Sequence, residues 1–186
     1  MTRGELHKLL SGRIHKSDIL EILRCGGESC AISEALIESI FDDDDKVAQN
    51  ALWVSTWGKI ERMEPIRERL VGLALKTCNS SIRRLTLTLL ERMMWGKDDV
   101  RTDLLDYCLE RMASSSEPAG VRALCIKIAY LQCQFYKGLL DELAMSLEMM
   151  GEMRLVPAVK CARNNIMKKM AKNGEAKRLM VKKCAK

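Results

Sequence analysis

The side chains able to hold a metal, a proton or a nucleophile are few in this chain, and their spacing is informative. Eight cysteines stand at positions 25, 30, 78, 108, 125, 133, 161 and 184, and no two are separated by the two residues of a zinc ribbon. The closest pair, Cys25 and Cys30, brackets Gly26-Gly27 without a second pair to complete a site. His7 and His15 are the only histidines and both lie near the N-terminus, so a Cys–His or Ser–His nucleophile lacks its base along most of the chain. The run Asp42-Asp43-Asp44-Asp45 carries enough carboxylate for a cation. Neither the glycine nor the bidentate glutamate of a calcium loop follows it, and acidic residues at a helix start are favoured by the helix dipole alone. Gly26-Gly27 has no Lys-Ser/Thr behind it and no strand before it, so it is not a phosphate loop. These residues predict no metal, no cofactor and no catalysis.

The elements around them are helices. Of 186 residues only 3 are Pro and 11 Gly, too few for a turn-rich sandwich or barrel, and an apolar fraction of 47% excludes global disorder. Val47 to Gly58 is the longest stretch without Asp, Glu, Lys or Arg, well short of the ~20 apolar residues of a membrane span. Leu9-Leu10 runs into Ser11-Gly12-Arg13 rather than an apolar core, so no secretory signal is read and a cytoplasmic location is expected. In that reducing compartment the cysteines are expected to pack as small apolar residues. Charge is uneven. Residues 1–50 carry 6 basic and 10 acidic side chains, whereas residues 151–186 carry 11 and 2, so the net +6 belongs to the C-terminal fifth.

Apolar spacing is helical almost throughout: Ile32, Leu36, Ile37 and Ile40; Ile66, Leu70, Leu73 and Ala74; Leu104, Leu105, Cys108, Leu109 and Met112; Leu139, Leu140, Leu143 and Leu147. Breaks are expected at Gly26-Gly27, Asp42–Asp45, Cys78–Ser80, Gly96–Asp98, Ala113–Glu117, Gly151 and Asn173-Gly174. Asp44, Ser80 and Asp98 are placed as helix caps, and about ten helices result.

Three of the breaks repeat one pattern. Asp44-Asp45-Lys46-Val47, Asn79-Ser80-Ser81-Ile82 and Pro118-Ala119-Gly120-Val121 each set a helix-starting residue three before a β-branched one, and an apolar helix follows. Val47 and Ile82 are 35 residues apart and Ile82 and Val121 are 39 apart, with a fourth copy at Val156 or Val159. Helix pairs at such a period indicate an α-solenoid. Asp-x-x-Val and Pro-x-x-Val-Arg at these helix starts resemble HEAT repeats, close kin of armadillo repeats. Lys46 to Trp57 resembles more narrowly a group of small bacterial HEAT-like proteins. The resemblance covers roughly residues 16–171 and implies an all-α, right-handed solenoid of about five stacked antiparallel helix pairs. Residues 1–172 form the domain and 173–186 a basic terminal helix or frayed tail.

The resemblance also implies a non-catalytic interaction module, whose second helices line a concave face that binds a protein or peptide. On those helices lie Lys46, Gln49, Asn50, Trp53 and Trp57, then Arg84, Thr88, Glu91, Arg92 and Trp95, then Lys127, then Arg163 and Asn164. A surface of Trp, Arg and Asn has the composition of an interface hot spot, although tryptophans also fill gaps between repeats. The alternative is nucleic-acid binding. HEAT-like alkylpurine DNA glycosylases are similar in architecture, but no catalytic Asp with Trp and Arg neighbours matches here. Lys168, Lys169, Lys172, Lys177, Arg178, Lys182 and Lys183 would serve such binding, or else form a solvated face. Apolar stripes from Leu6 to Leu23, with Lys8, Arg13, Lys16 and Glu21 outside them, close one end of the solenoid. The Lys-rich helices close the other, so a monomer is expected.

Overall fold

Helix starts set the architecture. In the computed structural model, which describes residues 1–152 and 154–184 (174–184 as helix backbone), these residues form ten α-helices and no strand. They are α1 (Arg3–Ser11), α2 (Lys16–Glu28), α3 (Cys30–Ser39), α4 (Asp45–Trp57), α5 (Arg67–Lys76), α6 (Ser80–Arg92), α7 (Thr102–Ala113), α8 (Ala119–Cys133), α9 (Lys137–Gly151) and α10 (Pro157–Cys184). Short 3-10 turns cover Ile60–Arg62, Glu64–Ile66 and Lys97–Asp99. The chain divides into two compact units, Met1–Met94 and Trp95–Lys186. In the first, α4 packs on α1, α2, α3 and α6, and α5 packs on α6. In the second, α8 packs on α7, α9 and α10.

The repeated helix start is visible in α4, α6, α8 and α10. Asp44 caps α4 by accepting the Lys46 N–H at 2.8 Å, and Asn79 caps α6 by accepting from Ser81 and Ile82 at 2.9 and 3.2 Å. Pro118 and Pro157 open α8 and α10, where a missing N–H costs nothing. Two residues into each helix comes the β-branched anchor: Val47, Ile82, Val121 and Val159, none more than 2% exposed. The fourth copy therefore sits at Val159, since Val156 precedes the helix and is exposed. Below the anchors the apolar stripes close the cores, with Leu52, Leu70, Leu87 and Leu90 buried in one unit and Leu104, Ile128, Leu143 and Leu147 in the other.

Helix C-termini are closed by side chains from elsewhere. The last carbonyls of a helix have no partner within it, and an arginine can supply one while offsetting the negative end of the dipole. Arg83 Nη2 donates to Thr77 O just past α5 at 2.7 Å, and buried Arg122 Nε to Met112 O at the end of α7 at 3.0 Å. Both arginines directly follow a β-branched anchor, which gives the Val-Arg of the repeat a physical role. Arg163 of α10 ties to α9 further in, donating to Leu147 O, and its guanidinium occupies the space that a Cβ on Gly151 would need.

Several expected boundaries move. Gly26 and Gly27 lie inside α2, which ends only at Glu28, because the buried faces of Ile19, Ile22 and Cys25 outweigh glycine's poor helix propensity. Asn79 caps α6 in place of Ser80, and Asp98 falls in a 3-10 turn while α7 starts after Arg101. Asn173-Gly174 does not end α10. Leu9 and Leu20, expected in the inward stripe of the first two helices, are 37% and 52% exposed, whereas Leu6, Leu10, Ile19 and Ile22 are buried. No helix among the described residues is long and apolar enough to cross a membrane. Cys25, Cys108, Cys125 and Cys133 pack as buried apolar residues, but Cys30, Cys78 and Cys161 are exposed.

Two outcomes follow from this packing. Arg122→Leu removes a bond from a charged donor and leaves a helix-end carbonyl unmet, so it should cost about 2–3 kcal/mol in urea unfolding. Arg84→Ala, at an exposed position, should stay within about 0.5 kcal/mol. For the cysteines, alkylation requires the thiolate. Burial pushes the Cys133 thiol up to about 11, and its hydrogen bond to Cys125 together with burial holds Cys108 well above the ordinary range. A hydrogen bond to Glu34 raises the exposed Cys30. Iodoacetamide at pH 8 should therefore label Cys78 and Cys161 ahead of Cys30, and reach Cys108, Cys125 and Cys133 only after unfolding, as read by peptide mass mapping.

Candidate functional site

The outward face of α4 is built by its own buried face. Val47, Ala48, Ala51, Leu52, Val54 and Ser55 turn into the core, which leaves Lys46, Gln49, Trp53 and Trp57 on the other side. Trp53 is 36% exposed and Trp57 48%, so neither fills a gap in the core. Asn50, expected on the same face, is instead buried. Its Nδ2 donates to Leu10 O at 2.7 Å and Gly12 O at 3.0 Å, which closes the end of α1 and fixes the loop into α2. At the next turn the His15 N–H donates to the Asp18 carboxylate at 2.7 Å and starts α2.

This bond to Asn50 brings residues 12–16 against α4. Arg13, His15 and Lys16 then share with Lys46, Gln49 and Trp53 the walls of an open groove of about 530 Å³. Lys16 extends the line toward Trp57, its ammonium 5.6 Å from the ring centroid. Arg13, Lys16 and Lys46 form no ion pair among the described residues. Lys16 and Lys46 also sit in the first turns of α2 and α4, where the dipole adds positive potential and Asp18, Asp44 and Asp45 of the same helix starts offset part of it. Cations there oppose folding by about 0.3–1 kcal/mol each, whereas an anion would be favoured by both sources of charge. The groove thus pairs an electropositive rim with an exposed aromatic face, a combination suited to a carboxylate beside an apolar or aromatic group.

The other expected face residues are used differently. Arg84 is exposed on α6, and Thr88 turns its hydroxyl back to Arg84 O at 2.8 Å. Arg92 donates to Thr56 O and, at 3.1 Å, to Gly58 O, so it closes the end of α4. Trp95 lies beyond the end of α6 and is 7% exposed, so it presents no binding surface. Lys127 and Arg163 belong to the second unit, the first half-buried on α8 and the second committed to α9. Lys168, Lys169 and Lys172 are exposed on α10, with Lys169 4.8 Å from the Tyr130 ring centroid. The side chains of Lys177, Arg178, Lys182 and Lys183 lie outside the described residues. Sequence reasoning assigned Arg13 and Lys16 to the outer covering of the first helices and overlooked His15. Their juxtaposition with α4 depends on a hydrogen bond spanning forty residues.

The aspartate run is taken up by turns and caps. Asp42 accepts from the Asp44 N–H at 2.9 Å and lies 3.5 Å from His7 Nε2, while Asp45 accepts from Asn79 Nδ2 at 2.9 Å.

Comparison with known proteins returns one family. The HEAT repeat domain model matches residues 6–170. No curated protein and no solved structure matches the chain.

Asn50 distinguishes a fold role from a contact role. Asn50→Ala should lower stability by about 2–4 kcal/mol, because two carbonyls at the end of α1 lose their donor in a buried site. Lys16→Glu and Lys46→Glu should each leave stability unchanged or raise it by a few tenths of a kcal/mol, since acidic groups suit a helix N-terminus. Thermal and urea melts of the three variants check both statements.

Proposed function

Because this chain belongs to the HEAT repeat domain family, whose members serve as repeat-based interaction scaffolds, we propose that it holds a protein partner on the outward face of α4. The bound segment is acidic, with an aromatic or proline residue that lies against Trp53. One observation carries this reading: Arg13, Lys16 and Lys46, three cations without acidic partners among the described residues, line one groove with the exposed Trp53, two of them in the first turns of α2 and α4. Cations placed against two helix dipoles are a cost to the free protein, and an incoming carboxylate removes it. The tryptophan supplies the desolvated anchor that interface energies concentrate on. No step of chemistry is required of the groove, and the chain is read as non-catalytic.

Photocrosslinking from a benzoylphenylalanine at position 53 in native lysate tests the proposal. Discrete protein adducts are expected, weakened by salt and reduced roughly tenfold by Lys16→Glu/Lys46→Glu, with the melting temperature held or raised. Adducts that survive the charge reversal, or adducts to nucleic acid in place of protein, would overturn it.

A further inference from the structure

The first unit contains a second cavity, of about 460 Å³, whose walls differ from those of the groove. Its floor is apolar: Ile22, Leu36 and Met63 line it and are buried. Its mouth is formed by exposed Trp57, Lys59 and Arg62. Between floor and mouth runs the last turn of α2 at Gly26 and Gly27.

These two glycines have no account within the free protein. No glycine among the described residues has a positive φ, so the backbone does not require them. Space does not require them either. A Cβ on Gly27 would meet nothing within 4 Å, and one on Gly26 would stand 3.8 Å from Ser33 Cα and 3.9 Å from Arg62 Nη1, which are ordinary contact distances. Gly58, which also lines the cavity, is different, because its Cβ would press on Leu23 Cδ2 at 3.3 Å. Alanine at 26 and 27 would give a better helix, so the pair keeps α2 bare along a cavity wall at the expense of stability. Bare backbone beside a cavity lets a bound group approach closely.

The mouth specifies the charge of that group. Arg62 is held by one bond, Nη1 to Gly26 O at 3.1 Å, which leaves the rest of its fork open. Neither Arg62 nor Lys59 forms an ion pair among the described residues. The C-terminal ends of α2 and α4 contribute partial negative charge here, about half a unit each, and two full cations exceed it. The same carbonyl ends provide no cradle of N–H groups, so a phosphate would find too few donors, whereas one carboxylate matches the open fork of Arg62. A volume of about 460 Å³ suits a small molecule. We propose that this cavity binds a small organic acid, with its apolar or aromatic body over Ile22, Leu36 and Met63 beside Trp57 and its single carboxylate on Arg62 and Lys59. The proposal is independent of the partner reading, since its floor and cations are not those of the groove.

The full chain is titrated by calorimetry with 4-phenylbutyrate and with 4-phenyl-1-butanol, which shares the body but lacks the charge. Saturable one-to-one binding of the acid is expected, with the alcohol and the Arg62→Gln variant each weaker by on the order of tenfold. Gly27→Leu, whose side chain starts in open space, should abolish binding with the melting temperature unchanged or raised. Gly26→Ala/Gly27→Ala should melt roughly 2–6 °C higher than the natural chain. Lack of saturation by the acid at millimolar concentrations would overturn the site. So would equal affinity for the alcohol, or binding that persists in Gly27→Leu at full strength.

Discussion

A helix ends in carbonyls that no residue of its own can satisfy, and much of this structure follows from how those carbonyls are met. Arg62 reaches the last turn of α2, Arg92 the end of α4, Arg83 that of α5 and Arg122 that of α7, while Arg67 and Arg163 add bonds to Met94 O beyond α6 and to Leu147 O inside α9. Asn50 performs the same service for α1. Arginine suits the task because a long stem crosses from one helix to the end of another while a fixed fork keeps several donors in reach. Each such bond sets the height of one helix against its neighbour, which apolar stripes alone leave free to slide. Helix pairs of this size are too short to be stable alone, and their order within each unit comes from packing plus these end contacts.

The same contacts explain what the sequence revealed and what it concealed. The period was legible because the β-branched anchors Val47, Ile82 and Val121 recur behind a helix-starting residue and are fully buried for the same geometric reason each time. Even the degenerate copy fits once Pro157 is read as the first residue of α10, which puts Val159 in the anchor position. Polar positions were not legible in this way. A 3.6-residue period says that Asn50 and Trp53 share a side of α4, but only the tertiary fold decides that one meets the end of α1 and the other meets water. Arg92 is a similar case: its partners lie more than thirty residues away, so its helix-end role had no local signal.

Trp95 and the glycine pair failed for a different reason. Trp95 falls at the spacing of a helix face, yet α6 stops at Arg92, so the periodicity was extended past the element that carries it. Gly26-Gly27 carries the strongest local signal of a break in the first forty residues, and the helix continues regardless. Local propensity is a sum of small terms, and the burial of Ile19, Ile22 and Cys25 along one side of α2 exceeds it.

Where a sequence disobeys its own local rules, the exception asks for a cause outside the free fold. This chain disobeys twice in the same unit. Lysines occupy the positive ends of α2 and α4, where Asp44 shows that an acidic residue is readily accommodated. Glycines occupy helical positions where alanine fits without strain. Neither feature improves packing, capping or hydrogen bonding, and each weakens the helix that contains it. Both lie on the walls of cavities that share the α4 helix, one along Trp53 and the other along Trp57. Other helices carry similar exceptions, with Gly4 in α1, Gly72 in α5 and Gly138 in α9 equally free of contacts, and Arg3 and Lys137 opening α1 and α9. Arg3 and Lys137 are paired with carboxylates, whereas Lys16 and Lys46 have none among the described residues. It is their place beside Trp53, and that of Gly26 and Gly27 beside Trp57, that gives these exceptions a use in binding.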